Sequence, residues 1–291
     1  MIKYKKVIPK IKQITPWWAK IVGKIVLSRL PLQYTLWRQL DIFKHGSMLN
    51  PDYATRVFLR HYEHAMSHLQ SEYSLLEFGP GDSLSTALLG ADHGARRIWL
   101  VDAGAFAERD ITKYAPLQEK LSKNWVHKHF IDTDEMLRAT NTTYLTDGLR
   151  SLKTIPDMSV DFIFSQAVLE HVYLSEFELI IKELFRIQTS RGVASHRIDL
   201  RDHLGNSLNS LRFTEKIWES SLFVRSGFYT NRLRASQIIE IIQRAGYQLL
   251  DLKFDTWSTL PLDKSKLAYP FALMSDTELL IHGMYVLLLK P

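Results

Sequence analysis

Two hydrophobic periods divide the chain. Ala54, Val57, Phe58, His61, Tyr62, Ala65 and Leu69 recur at spacings of three and four, which predicts an amphipathic helix. Asn50 and Pro51 mark its start, because proline at the first helical position gives up an N–H that has no partner inside the helix. His61, His64 and His68 share this segment, and with no carboxylate pattern beside them they read as ordinary helical histidines. From Tyr73 the pattern changes to short apolar runs alternating with helical stretches. "YSLLEF", "RIWLVD", "VDFIFS" and "GVASHRIDL" predict strands, and "TYLTD" a short extended piece. "SLSTALLG", "EFELIIKELFRI" and "QIIEIIQRAG" predict helices. Ser175 with Glu178 forms a capping-box pattern for the second, which is expected to stop near Gly192. Ser236 opens the third and Gly246 ends it. "YQLLDLKF" and "LLIHGMYVLLLK" close the chain as strands. Strands separated by single helices call for right-handed crossovers, hence an α/β class with a doubly wound, mostly parallel sheet.

The N-terminal region follows a different rule. In "TPWWAKIVGKIVLSRLPL", Trp18, Ile21, Val22, Ile25 and Val26 fall towards one side of a helix, and Lys20, Lys24 and Ser28 towards another. Lys24 interrupts the apolar run and no small-residue cleavage site follows, so neither a signal peptide nor a spanning helix is expected. Two readings remain: a cap helix packed on the domain, or an interfacial helix on an anionic membrane. One further helix is expected in "LQYTLWRQLDIFKHGSM". Charge sharpens the contrast. Ten cationic residues stand against Asp41 alone in the first fifty, a balance of +9, whereas the whole chain of 291 residues carries +6 and the remainder therefore −3. No basic stripe with interleaved aromatics runs through the body, so no nucleic-acid partner is expected. The chain has no cysteine, which excludes disulfides, thiolate metal sites and cysteine nucleophiles. Residues 1–70 read as a basic helical extension or cap, and 71–291 as the main domain, with an insertion at about 200–234.

The candidate chemistry lies where the strands end. "LLEFGPGDS" places Glu77, Gly79 and Gly81 at the carboxyl edge of the first strand, the edge at which such sheets bind ligands. Glycines there permit a tight turn and close approach to the backbone. Asp102 ends the second strand, where a carboxylate accepts hydrogen bonds from ribose hydroxyls, and Asp147 ends "TYLTD". A dinucleotide loop would need a third glycine where Leu84 stands, and Glu77 would repel a pyrophosphate. A ligand carrying positive charge fits better.

This combination resembles the class I S-adenosylmethionine-dependent methyltransferases from about Tyr73 to the C-terminus. "EFGPG" is similar to the family's E/D-x-G-x-G loop and "WLVDAG" to its second motif, and "YLTDGLRSLKTIPDMSVDFIFSQAVLEHV" is similar to the stretch through the fourth strand. Two departures are Ser83, in place of a third glycine often found in the motif, and "IQTSRG", in place of a Leu-Lys-Pro-Gly-Gly turn. The resemblance implies a Rossmann-like, seven-stranded sheet whose last strand runs antiparallel, with S-adenosyl-L-methionine as cofactor. It implies that Gly79 and Gly81 flank the methionine moiety, Glu77 lies beside the loop, Asp102 and Asp147 contact ribose and adenine, and Ser165 and Gln166 border the pocket.

Acceptor groups must come from segments above the fourth and fifth strands. "SHRIDLRDHLGNSLNSLRF" offers His196, Asp199, Asp202 and His203; a histidine oriented by an aspartate can act as general base. His203 is the first candidate, His196 the second, Asp199 their partner; no metal is assigned. His171 in "VLEHV" is either a pocket-edge group or a packing histidine. "ESSLFVRSGFYTNRLR" can supply Arg225, Arg232 or Arg234 to an anionic or sugar group, unless these only cap local helices. "FKHGSM", "HRIDLRDH" and "NRLR" together resemble bacterial methyltransferases encoded with surface-polysaccharide biosynthesis. That implies a small-molecule or glycan acceptor, a sugar hydroxyl on a nucleotide-linked or lipid-linked glycan, and a cytoplasmic enzyme, at the inner membrane surface if its basic N-terminus touches lipid. The alternatives are a small-metabolite or lipid O-methyltransferase, or a non-catalytic cofactor-binding scaffold or membrane adaptor.

Overall fold

The computed structural model describes residues 16–27 and 47–291. The helix expected between 32 and 48 lies outside the described residues except for its last two positions, as do the first fifteen residues. Seven strands form one sheet: β1 (Tyr73–Phe78), β2 (Ala95–Val101), β3 (Thr142–Leu145), β4 (Val160–Gln166), β5 (Gln188–Asp199), β6 (Gln248–Thr256) and β7 (Ile281–Leu289). Their order is β3-β2-β1-β4-β5-β7-β6. Strands β1 to β5 pair in parallel, and β7 runs antiparallel to both β5 and β6. The sheet is therefore the Rossmann-like, doubly wound arrangement with an antiparallel last strand.

Helices α1 (Trp17–Leu27), α2 (Pro51–Ala65), α3 (Ser85–Asp92), α6 (Leu174–Ile187) and α7 (Ala235–Arg244) follow the predicted pattern, and α4 (Thr133–Ala139) and α5 (Gly148–Thr154) are two that the sequence pattern did not single out. Alternation along the strands sorts them into two layers. Leu76, Ile163 and Ala194 face one core with α5, α6 and α7; Leu75, Phe162 and Val193 face the other with α2, α3 and α4. Helix α2 is thus part of the layer that covers the sheet: Asn50 Oδ1 caps it, accepting from Tyr53 N at 3.0 Å, and Ala54, Val57, Phe58, His61 and Ala65 are buried. Strand β1 is buried at all six positions, because β2 and β4 flank it and helices cover both faces.

Three local expectations are corrected. Helix α6 begins at Leu174, so Ser175 lies inside it and no capping box forms; the Tyr229 hydroxyl accepts from Leu174 N at 3.1 Å, and Glu178 pairs with Lys182 at 2.9 Å. The helix stops at Ile187 rather than near Gly192, since Gln188 is drawn into β5, where its buried amide oxygen accepts from the Tyr247 hydroxyl at 2.8 Å. Helix α7 starts at Ala235, its preceding N–H donating to Gln237 Oε1, whereas the Ser236 N–H and hydroxyl both donate to Glu278. For α6 long-range partners replaced local signals, whereas α7 keeps a local cap at Gln237 and only Ser236 turns to a distant partner.

Above β5, residues 200–234 build a satellite core from Leu204, Trp218, Phe223, Phe228 and Tyr229, on which Trp17, Ile21 and Ile25 of α1 pack. Two buried arginines fasten this insertion. Arg234 donates to the carbonyls of Leu200, at 2.9 Å, and Ile281; Arg232 donates to those of Ser210, at 3.3 Å, and Phe213 while lying over the Trp218 and Phe271 rings. Of the readings left open for Arg232 and Arg234, these bonds favour a structural role, since both hold backbone carbonyls. Arg225 is exposed.

Candidate cofactor and acceptor site

The strand order reverses between β1 and β4, and the crevice at such a switch point is where doubly wound sheets take ligands. The glycine bend lies at that crevice. Gly79 and Gly81 both adopt left-handed backbone, φ +82° and +66°. A Cβ on Gly79 would come within 2.4 Å of Val168 Cγ2, so only glycine lets the chain turn against the residue that follows β4.

Glu77 and Asp102 meet at this bend. Glu77 is 2 % exposed and, among the described residues, its Oε2 has no hydrogen-bond partner. Burial, with Asp102 nearby adding to it, pushes the carboxyl up to about 8 against the opposing pull of the Thr86 hydroxyl. Asp102 accepts from the N–H of Gly81 at 2.8 Å and of Ala103 at 2.7 Å, so it holds the glycine loop. Burial raises it to about 6 against those two bonds. An orphaned acid oxygen beside two left-handed glycines fits a ligand that brings a hydrogen-bond donor or a positive charge, and it opposes a phosphate. Asp147 stands at the rim: its side chain is exposed, 3.7 Å from Arg150, and the next N–H, of Gly148, donates to the Asp102 carbonyl at 2.8 Å. These residues can hold a zwitterionic sulfonium nucleoside, with Glu77 inside, Asp102 on the loop and Asp147 outermost.

Ser165 and Gln166 end β4 with histidine partners on opposite faces. Ser165 is fully buried, its hydroxyl 2.7 Å from His196 Nδ1. Gln166 Oε1 lies 3.1 Å from His61 Nε2, whose Nδ1 is 2.8 Å from the Ser195 hydroxyl. Alternation along β4 sends the two side chains to opposite faces, and each is taken by a histidine packed there.

His196 is held in the core. Its ring is 1 % exposed within β5, and burial pulls it down to about 4, which keeps it neutral in the core. Among the described residues Asp199 orients no histidine. Arg201 grips both its oxygens, at 2.9 and 2.8 Å, and although burial opposes ionisation these bonds hold its carboxyl below the usual range. Asp202 caps its own loop, accepting from Leu204 N and Gly205 N at 2.9 and 2.6 Å.

His203 and His171 are brought together instead, their Nε2 atoms 3.1 Å apart and their rings within 10° of parallel. His203 is half-buried, and burial with Lys24 nearby holds it below the usual imidazole value. Two residues the sequence did not single out complete the frame. Asn231 Nδ2 donates to the carbonyls of Leu169 and Val172 at 2.8 and 3.1 Å, tying the insertion to the turn after β4. Glu170 is buried there, its Oε1 accepting from Asp199 N at 3.2 Å and its Oε2 unpartnered; burial pushes it up to about 8. Glu170 stands inside the "VLEHV" motif, but nothing local signals that an acid there is buried.

No protein-family model matches the chain, and no curated protein does. Among solved structures, an S-adenosylmethionine-dependent methyltransferase of Methanosarcina mazei is 16 % identical, with a TM-score of 0.49, covering 79 % of this chain and 97 % of its own. One from Mesorhizobium loti is 12 % identical, with a TM-score of 0.45, covering 79 % and 97 %. The [4+2]-cyclase SpnF is 15 % identical, with a TM-score of 0.48, covering 97 % and 95 %. At such distances the resemblance concerns chain path alone, and two chemistries appear among these three names, so the reaction must be argued from this chain's own residues.

Proposed function

We propose that this chain is an S-adenosylmethionine-dependent methyltransferase that acts on a hydroxyl acceptor, a sugar hydroxyl in glycan or polysaccharide assembly. The observation that carries the reading is Glu77: a buried acid with an unpartnered oxygen, against a left-handed glycine bend at the sheet's switch point. S-adenosylmethionine, when bound, supplies an electrophilic methyl group on a positively charged sulfur. Glu77 meets that ligand's cationic or donor groups, Asp102 keeps the loop folded while offering its remaining lone pairs to hydroxyls, and Asp147 closes the rim. The insertion at about 200–234, clamped by Arg232, Arg234 and Asn231, forms the acceptor side. Its His203, neutral at pH 7, takes the acceptor's proton. Glu77, Asp102 and Asp147 would hold the cofactor that supplies the methyl group, and the acceptor hydroxyl would give up its proton to His203 as it was methylated.

The acceptor class draws support from α1. Trp17, Ile21 and Ile25 pack on the insertion, which leaves Trp18 and Val22, each 58 % exposed, on a flank of the same helix with Lys20 nearby in sequence. Among the described residues no helix is long and apolar enough to cross a membrane. We therefore read α1 as a helix that rests on an anionic leaflet, and α2 together with the residues after it as the catalytic domain of a cytoplasmic enzyme beside a lipid-linked acceptor. Labelled-methyl transfer to nucleotide-linked and lipid-linked sugars tests the activity, and thermal shifts with S-adenosylhomocysteine against NAD test the cofactor. Stabilisation by S-adenosylhomocysteine alone and label in a sugar are expected. Stabilisation by NAD alone would overturn the cofactor assignment, and binding without transfer to any acceptor would favour a scaffold.

A further inference from the structure

We infer that His171 is a positioning residue that fixes the tautomer of His203, leaving His203 Nδ1 as the atom that accepts the proton of the acceptor hydroxyl. The inference rests on the methyltransferase reading above. Its starting point is a carbonyl: the Tyr229 oxygen lies 3.1 Å from His171 Nδ1, and a carbonyl can only accept, so Nδ1 of His171 carries hydrogen. In a neutral imidazole the other nitrogen is then bare. His171 Nε2 thus accepts from His203 Nε2, 3.1 Å away, and His203 must carry its hydrogen there. What remains on a neutral His203 is an unprotonated Nδ1, to which no described residue donates.

The frame around this relay is rigid. Tyr229 is buried; its hydroxyl donates to Glu219 Oε2 at 2.8 Å and accepts from Leu174 N, and its own N–H donates to Ser226. His171 ends the single turn Leu169–His171, its N–H donating to the Val168 carbonyl at 2.8 Å, while Asn231 holds the same turn from the other side. Val168 is the residue packed against Gly79, so the histidine pair stands three residues from the glycine bend. The charges acting on His203 come from three elements: Lys24 of α1, Asp199 at the end of β5 and Arg201 in the loop beyond it. The two cations outweigh the carboxylate, which Arg201 already occupies, and so favour the neutral ring. Once His203 has taken a proton, its Nε2–H becomes a stronger donor to the bare nitrogen of His171, so the relay stabilises the cationic ring as it forms.

Nitrogen-15 NMR of histidine-labelled full-length protein with S-adenosylhomocysteine tests the arrangement directly. His171 is expected as the Nδ1–H tautomer and His203 as the Nε2–H tautomer. His203 in the opposite tautomer would overturn the inference whatever the enzyme's substrate. Two substitutions then separate positioning from packing. His171→Gln places an amide oxygen where Nε2 accepts, whereas His171→Asn keeps only the donor to Tyr229. With nucleotide-linked sugars as acceptors, His171→Asn should lose at least tenfold in kcat, with KM and S-adenosylhomocysteine affinity unchanged. His171→Gln should stay within threefold of the parent protein, and equal losses in both would refute a positioning role. Lys24→Met should raise the acid limb of the kcat profile, and an unshifted limb would count against His203 as the titrating base. If the parent protein bound S-adenosylhomocysteine yet methylated nothing, the hydroxyl-transfer reading would fail while the tautomer measurement still decided the pairing.

Discussion

Glu77 places a group with carboxyl chemistry where water cannot reach it, and the free protein holds it protonated at neutral pH, since burial raises it to about 8. A cationic ligand reverses that preference, so binding must release a proton. S-adenosylmethionine affinity is therefore expected to rise with pH up to about 8 and then level off, and Glu77→Gln should abolish the slope; calorimetry in buffers of different ionisation enthalpy reads the released proton. Gly79 is limited twice, by φ +82° and by Val168 at 2.4 Å from its missing Cβ. Gly79→Ala should cost about 2 kcal/mol or more and weaken S-adenosylhomocysteine binding at least tenfold. Adding Val168→Ala should recover part of the loss, because it removes the clash and leaves the left-handed backbone unpaid for.

Among the elements, the insertion shows how much of the site depends on long-range fastening. Arg234 reaches carbonyls on both sides of the sheet's end, at Leu200 and Ile281, and burial pulls its guanidinium down to about 10, still charged at neutral pH. Arg234→Met keeps the volume but strands those carbonyls, and should destabilise by about 3–5 kcal/mol in chemical denaturation. Helix α1 adds a weaker attachment through Trp17, Ile21 and Ile25. Trp18→Ala with Val22→Ser leaves that packing intact, yet should lower sedimentation with anionic liposomes at low salt several-fold. Unchanged sedimentation would make α1 a cap helix only.

For the molecule as a whole, buried titratable groups set opposing pH limits. Glu77 and Glu170, raised to about 8, and Asp102, raised to about 6, keep protons in the folded state that the unfolded chain has lost, so stability falls as pH climbs from the ordinary carboxyl range towards 8. His61 and His196, pulled down to about 3 and 4, stay neutral where the unfolded chain is protonated, so stability also falls as pH drops below about 6.5. Because three carboxyls outnumber two histidines, the falling slope wins above about pH 5, and the ligand-free melting temperature should be highest at roughly pH 4 to 5. Glu77→Gln should raise it by roughly 5 °C or more at pH 8 and hardly at pH 4. The layered α/β class, the seven strands and the Glu77–Gly79–Gly81–Asp102 bend were legible in the amino-acid order alone, because strand and helix periods and a glycine turn at a strand end are local properties. The local order also proposed a Ser175 cap, a base at His196 and an aspartate partner for His203, and there the structure holds other partners. Two of those outcomes were decided by groups distant in the chain, Tyr229 capping α6 and Ser165 meeting His196 in the core, whereas Asp199 was taken by Arg201 only two positions on. The pairing of His171 with His203, 32 positions apart, exists only because the turn after β4 and the loop after β5 end side by side. Partner choice among buried polar groups follows from which strand edges the sheet order brings together, and no local pattern carries that information.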